Sequence, residues 1–215
     1  VTQYMRRKLQ HAGVEIRLST PVTKEMLENE FAGYEVIAGT GAKPIIINAF
    51  TGFKQWMSAD DILAGKAVSG RKVVIIGGGS VGCETADYLA PLVNDRFPRN
   101  KAITILEMAD EIIMNESGPG RSLLVQRMMS KGVEVVCKAK VTKVDETNIW
   151  YEKDGQEHCI CDADTLVFAA GYRIDPAMEN MLEEANTHYH IIGDAEKVGN
   201  IKDAIHRGYE IAKDI

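Results

Sequence analysis

The sequence predicts an α/β fold, and three observations carry that reading. An apolar run from Val73 to Ile76 stops at a glycine cluster and passes directly into a helical pattern. Strands of a parallel sheet read as such unbroken runs because both of their faces are covered. A second apolar run, 102–107, follows that helix and completes a βαβ unit. From 139 to 161 the apolar period drops to two, with turn signals at 146–148 and at Asp154-Gly155, which marks a three-stranded antiparallel meander. The expected architecture is a Rossmann-like parallel sheet with an antiparallel β-meander crossover.

The 215 residues can bury a sizeable core, and 45% hydrophobic with 26% charged residues is ordinary for a globular protein. A net charge of -6 without a basic block argues against nucleic acid or an anionic membrane as partner. No apolar run approaches the roughly 20 residues that span a bilayer, and no signal peptide opens the chain. The four cysteines, Cys83, Cys137, Cys159 and Cys161, form no CxxC pair. They read as reduced core or strand residues of a cytoplasmic protein, Cys159 and Cys161 sharing one strand face without clasping a metal.

The remaining elements follow in order. Residues 2–11 form a helix with Met5 and Leu9 one turn apart, Ala12 extending the stripe and Gly13 closing it. Strands are expected at 14–18 and 35–38, the latter ending in Gly39-Thr40-Gly41. An α/β domain that opens on a helix lacks the strand that helix would cover, so the chain reads as truncated, a piece of something larger. The stretch 44–70 connects, with a short helix at 59–63. Strand 72–76, helix 80–89 and strand 102–107 make the βαβ unit, with a long, proline-containing joint at 91–100. A helix at 120–131 pairs Leu124 with Met128 and Val125 with Met129, and strand 133–137 follows Gly132. Beyond the meander come strand 165–169, a polar linker, strand 190–192 and a helix at 200–215. That helix aligns Ile201, Ala204, Ile205, Gly208, Ala212 and Ile215.

The chemistry concentrates at Gly77-Gly78-Gly79-Ser80-Val81-Gly82, a GxGxxG match between a buried strand and a helix. Gly77 permits a tight turn, Gly79 lets backbone approach a pyrophosphate, and Gly82 lets helix pack close to strand. The helix start at Ser80 and Val81 offers N–H groups to phosphates. Glu107 ends the next strand, where an acid accepts bonds from ribose hydroxyls. It lies further beyond Gly82 than the usual interval of about 20 residues, and the 91–100 joint accounts for the excess. Asp194, in Ile191-Ile192-Gly193-Asp194, reads as a turn aspartate or a ligand, and gains point beside Gly39-Thr40-Gly41.

The order of Gly39 to Pro44, Gly77 to Glu84, the meander, Ala169 to Arg173 and Ile191 to Asp194 resembles a two-dinucleotide flavoprotein reductase. With Cys83-Glu84, Leu106-Glu107-Met108 and Asp203-Ala204-Ile205-His206, it is similar to the C-terminal FAD- and NAD(P)-binding region of the old yellow enzyme-like NADH:flavin oxidoreductases. These include the enoate reductases and 2,4-dienoyl-CoA reductases. The resemblance implies an NAD(H)-binding domain at 67–162 nested in a partial FAD-binding domain at 1–66 and 163–215. It implies NADH beside Gly77, Gly79, Ser80, Val81, Gly82, Glu84, Glu107 and Gly171, with Glu84 near the nicotinamide carboxamide. It places Gly41 and Asp194 against FAD in an intact parent. It further implies an N-terminal barrel of the same polypeptide, carrying FMN and a 4Fe–4S cluster, as partner. Gly39 stands where the family usually has alanine, and the FAD half's own GxGxxG is absent from these 215 residues.

The implied activity is hydride transfer from NADH to FAD and on to an FMN site that reduces an activated C=C bond. Two other readings stand beside it: a fragment of a free-standing FAD-dependent reductase, and a non-catalytic nucleotide-binding (ADP-type) module. A preference for NADH over NADPH is expected, because Glu107 would repel a 2′-phosphate and residues 108–111 offer no cation. Arg96, Arg99 and Lys101 precede the strand and belong at its far end.

Overall fold

The computed structural model describes residues 2–91, 101–114 and 118–215. The joint expected at 91–100, with Arg96 and Arg99, lies outside the described residues but for Pro91. Two compact units form, one from residues 1–41 and 175–215, the other from residues 42–174. The first begins with α1 (Thr2–His11), α2 (Lys24–Glu28) and β1 (Val36–Ala38). The second holds β2 (Ala42–Pro44), β3 (Trp56–Ser58), α3 (Ala59–Leu63), β4 (Lys72–Ile76), α4 (Ser80–Leu89), β5 (Ala102–Leu106) and α5 (Pro119–Ser130). It continues through β6 (Glu134–Val136), β7 (Lys140–Val144), β8 (Ile149–Lys153), β9 (Gln156–Ile160), β10 (Thr165–Phe168) and β11 (Tyr172–Ile174). The chain then returns to the first unit with α6 (Ala177–Glu184), β12 (Tyr189–Ile191) and α7 (Ile201–Asp214).

The larger unit is built on a five-stranded parallel sheet in the order β3-β10-β4-β5-β6. Alternation along β4 explains why its sequence is apolar throughout. Val73 and Ile75 join a cluster with Cys83 and Ala86 of α4, Met128 of α5 and Ile62 of α3. Val74 and Ile76 face a second cluster with Phe50, Phe53, Phe168 and Ile149 of the meander. Helices thus cover one face and the meander the other, which buries β4 on both sides. The meander folds where its turn residues dictate: Asp154 and Gly155 both take positive φ, +52° and +74°, as a two-residue primed hairpin turn requires.

The α/β expectation and the meander crossover stand as read. In the larger unit β3 and β10 complete the same parallel sheet as β4. The short strands β2, β3 and β11 and the helices α2 and α6 were not read from sequence. Residues 14–18 form no strand: Val14, Ile16 and Leu18 are 48%, 43% and 70% exposed, and no strand pairs with them among the described residues. In the smaller unit β1 pairs in parallel with β12, over a small core of Leu27, Ala38 and Leu182. The polar linker contains α6, whose Leu182 is fully buried. On α7 the expected stripe is displaced. Ile201, Ile205 and Ile215 are exposed, while Ile211 is the buried residue, one turn beyond the half-buried Arg207 and Gly208 and two beyond the half-buried Ala204. Asn200 and Asp203 close a reciprocal capping box at its start.

One ionic cluster joins the two helices that cover β4. Asp87 of α4 accepts from Arg127 Nε at 2.8 Å and from Lys131 Nζ at 2.8 Å, and Lys131 also donates to the Asp87 carbonyl. The Asp87 and Lys131 side chains are only 14% and 9% exposed. Burial raises the carboxyl pKa, but hydrogen bonds from Arg127 and Lys131 outweigh it, and the net pKa lies below the ordinary aspartate value. Asp87→Asn is therefore expected to lose about 2–3 kcal/mol, between exposed-pair and buried-pair costs. A folded pKa below the unfolded one gives stability that is complete above the unfolded value of about 3.9 and lost as pH falls through the folded value. Urea melts of both proteins should differ fully near pH 6–7, and the difference should shrink as pH falls below about 3.9. A constant difference across that range would show that the carboxylate charge is not what holds α4 to α5.

Candidate functional site

The site lies where β4 and β5 end. Gly77 takes φ +106°, and a Cβ there would fall 2.3 Å from the Ala169 carbonyl oxygen. A Cβ on Gly82 would fall 2.0 Å from the Gly77 carbonyl oxygen. Gly77 is therefore demanded by the close approach of the chain after β10, and Gly82 by the packing of α4 against the end of β4, without reference to any ligand. Gly79 differs. Its φ is -70°, and a Cβ there would meet nothing within 4 Å. The open space lies where α4 begins, with Gly79 as N-cap offering no side-chain acceptor to the first-turn N–H groups.

Gly78, the unspecified position of the motif, proves as constrained as its neighbours. Its Cβ would lie 2.6 Å from Ile112 Cγ2 and 3.1 Å from Glu107 Cβ. The segment after β5 folds back over it, and Ile113 N–H donates to the Gly78 carbonyl at 2.8 Å. Ile113 is buried with φ +52°, a conformation rare for a β-branched residue. Sequence reasoning missed both residues; the only available sign was Ile112-Ile113 within an otherwise polar run.

Glu107 is fixed at this junction. Its Oε2 accepts from Gly78 N–H at 2.5 Å and its Oε1 from Ala109 N–H at 2.7 Å. An ionised carboxylate offers about four acceptor positions, so each oxygen retains capacity for a hydroxyl donor. The β6 end closes against it, Ala139 N–H donating to the Glu107 carbonyl and Lys138 N–H to the Ala109 carbonyl. Burial and the Glu107 charge push the Cys137 thiol upward. Two cations border this loop that sequence adjacency did not suggest. Lys138 lies 3.7 Å from Asp110, and Arg121 donates to Glu111 at 2.9 Å and to the Ile112 carbonyl. Both are engaged by acids of the loop itself. Lys101 sits at the opposite end of β5, donating to Ser69 Oγ at 2.6 Å, as expected.

Ser80, Val81 and Glu84 fall in the first turns of α4, Glu84 exposed and Val81 half-buried. Gly171, with φ +94°, follows β10, the strand beside β4. Tyr172 after it donates to Asp60 at the start of α3. In the smaller unit, Gly39, Gly41 and Asp194 follow the ends of the paired β1 and β12, and Ile192 N–H donates to the Ala38 carbonyl. Asp194 Oδ1 accepts from Gly199 N–H at 3.1 Å and so shapes its own loop. A cavity of about 680 Å³ adjoins that loop, lined by Gly193, Lys197, Asp203, His206 and Arg207 among others. Cys83 is buried and Cys137 half-buried, but Cys159 and Cys161 are exposed and not core residues. Among the described residues no cluster of three or more metal-ligating side chains occurs, and no helix is long and apolar enough to cross a membrane.

Residues 23–197 match the pyridine nucleotide-disulphide oxidoreductase family, and the chain belongs to it. It is 33% identical over 211 residues to a cinnamate reductase of Clostridium sporogenes, covering 96% of this chain and 30% of that protein. It is 30% identical over 221 residues to an NADH oxidase of Thermoanaerobacter brockii, covering 97% of this chain and 32% of that one. The chain thus spans about a third of the length of these relatives. In fold it is similar to a 2-naphthoyl-CoA reductase (TM-score 0.86, 24% identity, 99% of this chain and 31% of that chain). It is also similar in fold to the histamine dehydrogenase of Rhizobium sp. 4-9 (TM-score 0.76, 16% identity, 100% of this chain and 35% of that chain). These matches agree with the old yellow enzyme-like resemblance read from sequence.

The glycine geometry separates packing from ligand contact. Gly82→Ala should fold poorly, because its methyl has no room beside the Gly77 carbonyl. Gly79→Ala should keep its melting temperature within about 2–4 °C of wild type, the shift that 1 kcal/mol produces at this size, yet bind NADH more weakly. Differential scanning fluorimetry and NADH titration check both; a Gly79→Ala protein with wild-type NADH affinity would remove that residue from the site.

Proposed function

We propose that this member of the pyridine nucleotide-disulphide oxidoreductase family is the NADH-binding module of a larger flavin oxidoreductase. The observation that carries the reading is the Glu107 carboxylate, held by Gly78 and Ala109 N–H groups beside the open space over Gly79. In this reading the pyrophosphate lies over Gly79 and the start of α4 at Ser80 and Val81, where backbone N–H groups receive it. The ribose hydroxyls donate to the spare acceptor positions of Glu107. Glu84 and Gly171 border the nicotinamide end. The dinucleotide, when bound, supplies the hydride; the chain's residues hold and orient it.

The smaller unit is read as part of an FAD-binding half, with Gly41 and Asp194 as its flavin contacts in the longer polypeptide. An N-terminal barrel with FMN and a 4Fe–4S cluster, reducing an activated C=C bond, completes the proposal. It is supported by the similarity to a cinnamate reductase and by the length of the relatives beyond the matched third.

Cofactor preference tests the assignment. Glu107 accepts a 2′-hydroxyl proton but repels a 2′-phosphate, and Lys138 and Arg121 are already paired with Asp110 and Glu111. A hydrogen bond to a charged group contributes roughly 1.5–3 kcal/mol, so NADH should bind about tenfold or more tightly than NADPH. Glu107→Ala should narrow that gap chiefly by weakening NADH. Calorimetric titration of wild type and variant with both cofactors and with ADP measures this. Equal or tighter NADPH binding by wild type would refute the role of Glu107. Binding of ADP as tight as NADH would favour a non-catalytic module.

A further inference from the structure

The meander carries a pair of thiols that the nucleotide site does not use. Cys159 lies on β9, opposite Trp150 of β8, and Cys161 follows just past the strand. Their Sγ atoms are 3.2 Å apart and both residues are exposed. The peptide group that joins Cys161 to Asp162 is tied down at both its oxygen and its nitrogen. Lys72 Nζ donates to the Cys161 carbonyl at 2.6 Å, and Asp162 N–H donates to Asn148 Oδ1 at 3.1 Å. Asp162 itself takes φ +51°, so the turn beyond the pair is a specific one. The two sulfurs, 3.2 Å apart, need approach by only about 1.2 Å to reach the roughly 2.05 Å of a disulfide bond.

We propose that Cys159 and Cys161 form a reactive dithiol that closes to an intrachain disulfide by exchange with small disulfides. Desolvation and the hydrogen bond with Cys161 push the Cys159 thiol up to about 11, so Cys159 keeps its proton in neutral water. The exchange opens with attack by one sulfur of the pair, written for Cys161. Its thiolate displaces one thiolate from the small disulfide and forms a mixed disulfide. Cys159 loses its proton and attacks the Cys161 sulfur, expelling the second thiolate. The chain gives up two electrons and two protons; the small disulfide is reduced to two thiols.

The pair is separate from the nucleotide site. Lys72, which anchors it, begins β4, and the glycine loop follows the other end, roughly 16 Å away at about 3.3 Å per residue. The inference therefore stands whether or not the chain binds NADH.

The test uses the whole 215-residue chain, reduced, freed of reductant and treated with an excess of 5,5′-dithiobis(2-nitrobenzoate). The tryptic peptide 154–173 carries Cys159 and Cys161 and neither of the other cysteines. It should be recovered two hydrogens lighter, without an aryl adduct, after two aryl thiolates are released from the pair. In Cys159→Ser one thiolate should be released and the adduct should remain on Cys161. Wild-type peptide carrying aryl adducts on both cysteines would overturn the proposal, and so would a peptide that does not react. Because both residues are exposed, Cys159→Ser and Cys161→Ser should fold as wild type, which thermal melts verify.

Discussion

The site depends on the contact between Gly82 in the first turn of α4 and the Gly77 carbonyl at the end of β4. Their separation leaves no room for a Cβ. That approach fixes where α4 begins and points its first N–H groups past the end of the sheet. The contact could not persist on a loose strand. β4 is held because Val73 and Ile75 are locked under helices while Val74 and Ile76 are locked under the meander. The meander, which at first sight has no part in nucleotide binding, is thus what buries the second face of the strand carrying the glycines. Its role is indirect but physical, since an exposed apolar face would leave β4 free to shift and the loop with it.

The sequence reveals most where local chemistry allows few conformations. Gly77 and Gly82 could be assigned from the motif because only glycine tolerates those contacts, and Asp154-Gly155 because a two-residue hairpin needs two positive φ angles. Helices α1, α3 and α4 begin and end where the pattern places them. What the sequence hides is set by distant partners. Residues 14–18 alternate as a strand should, but alternation specifies a face and cannot supply a neighbour to pair with. The buried face of α7 follows its neighbours and settles on Ile211, leaving the larger stripe through Ile201 and Ile205 exposed. Gly78 is a free position by motif, yet its close contact with Ile112 arises from a loop thirty-odd residues on.

Two acids stood out in the sequence, and the structure gives them different standing. Asp194 accepts from Gly199, five residues along its own loop, an arrangement any turn aspartate can adopt. Glu107 bonds two separate segments, the glycine loop and its own strand's continuation. Such a carboxylate is oriented before any ligand arrives, so hydroxyls that meet it need no side chain to reorganise. The same rigidity makes Glu107 a poor subject for simple deletion, because removing it also releases the Gly78 N–H. A measured loss of affinity in Glu107→Ala therefore contains a positional part. The NADH-to-NADPH ratio is the cleaner quantity, since loop displacement weakens both cofactors while the 2′ contact affects them oppositely.

The two ends of β4 carry unlike chemistry, and the sheet keeps them apart. At its C-terminal end the backbone offers N–H groups and a fixed carboxylate, suited to a charged nucleotide. At its N-terminal end, Lys72 holds the carbonyl of Cys161, and Asp164 accepts the backbone N–H groups of Arg71 and Lys72. Closing a bond between Cys159 and Cys161 would draw together side chains already 3.2 Å apart, at the edge strand of the meander. Little of that adjustment needs to pass inward, because Ile149 and Ala163, which pack beneath the meander, are fully buried and close-packed in the shared core. The thiol pair and the glycine loop thus sit at opposite ends of β4, the one beside Lys72 and the other after Ile76.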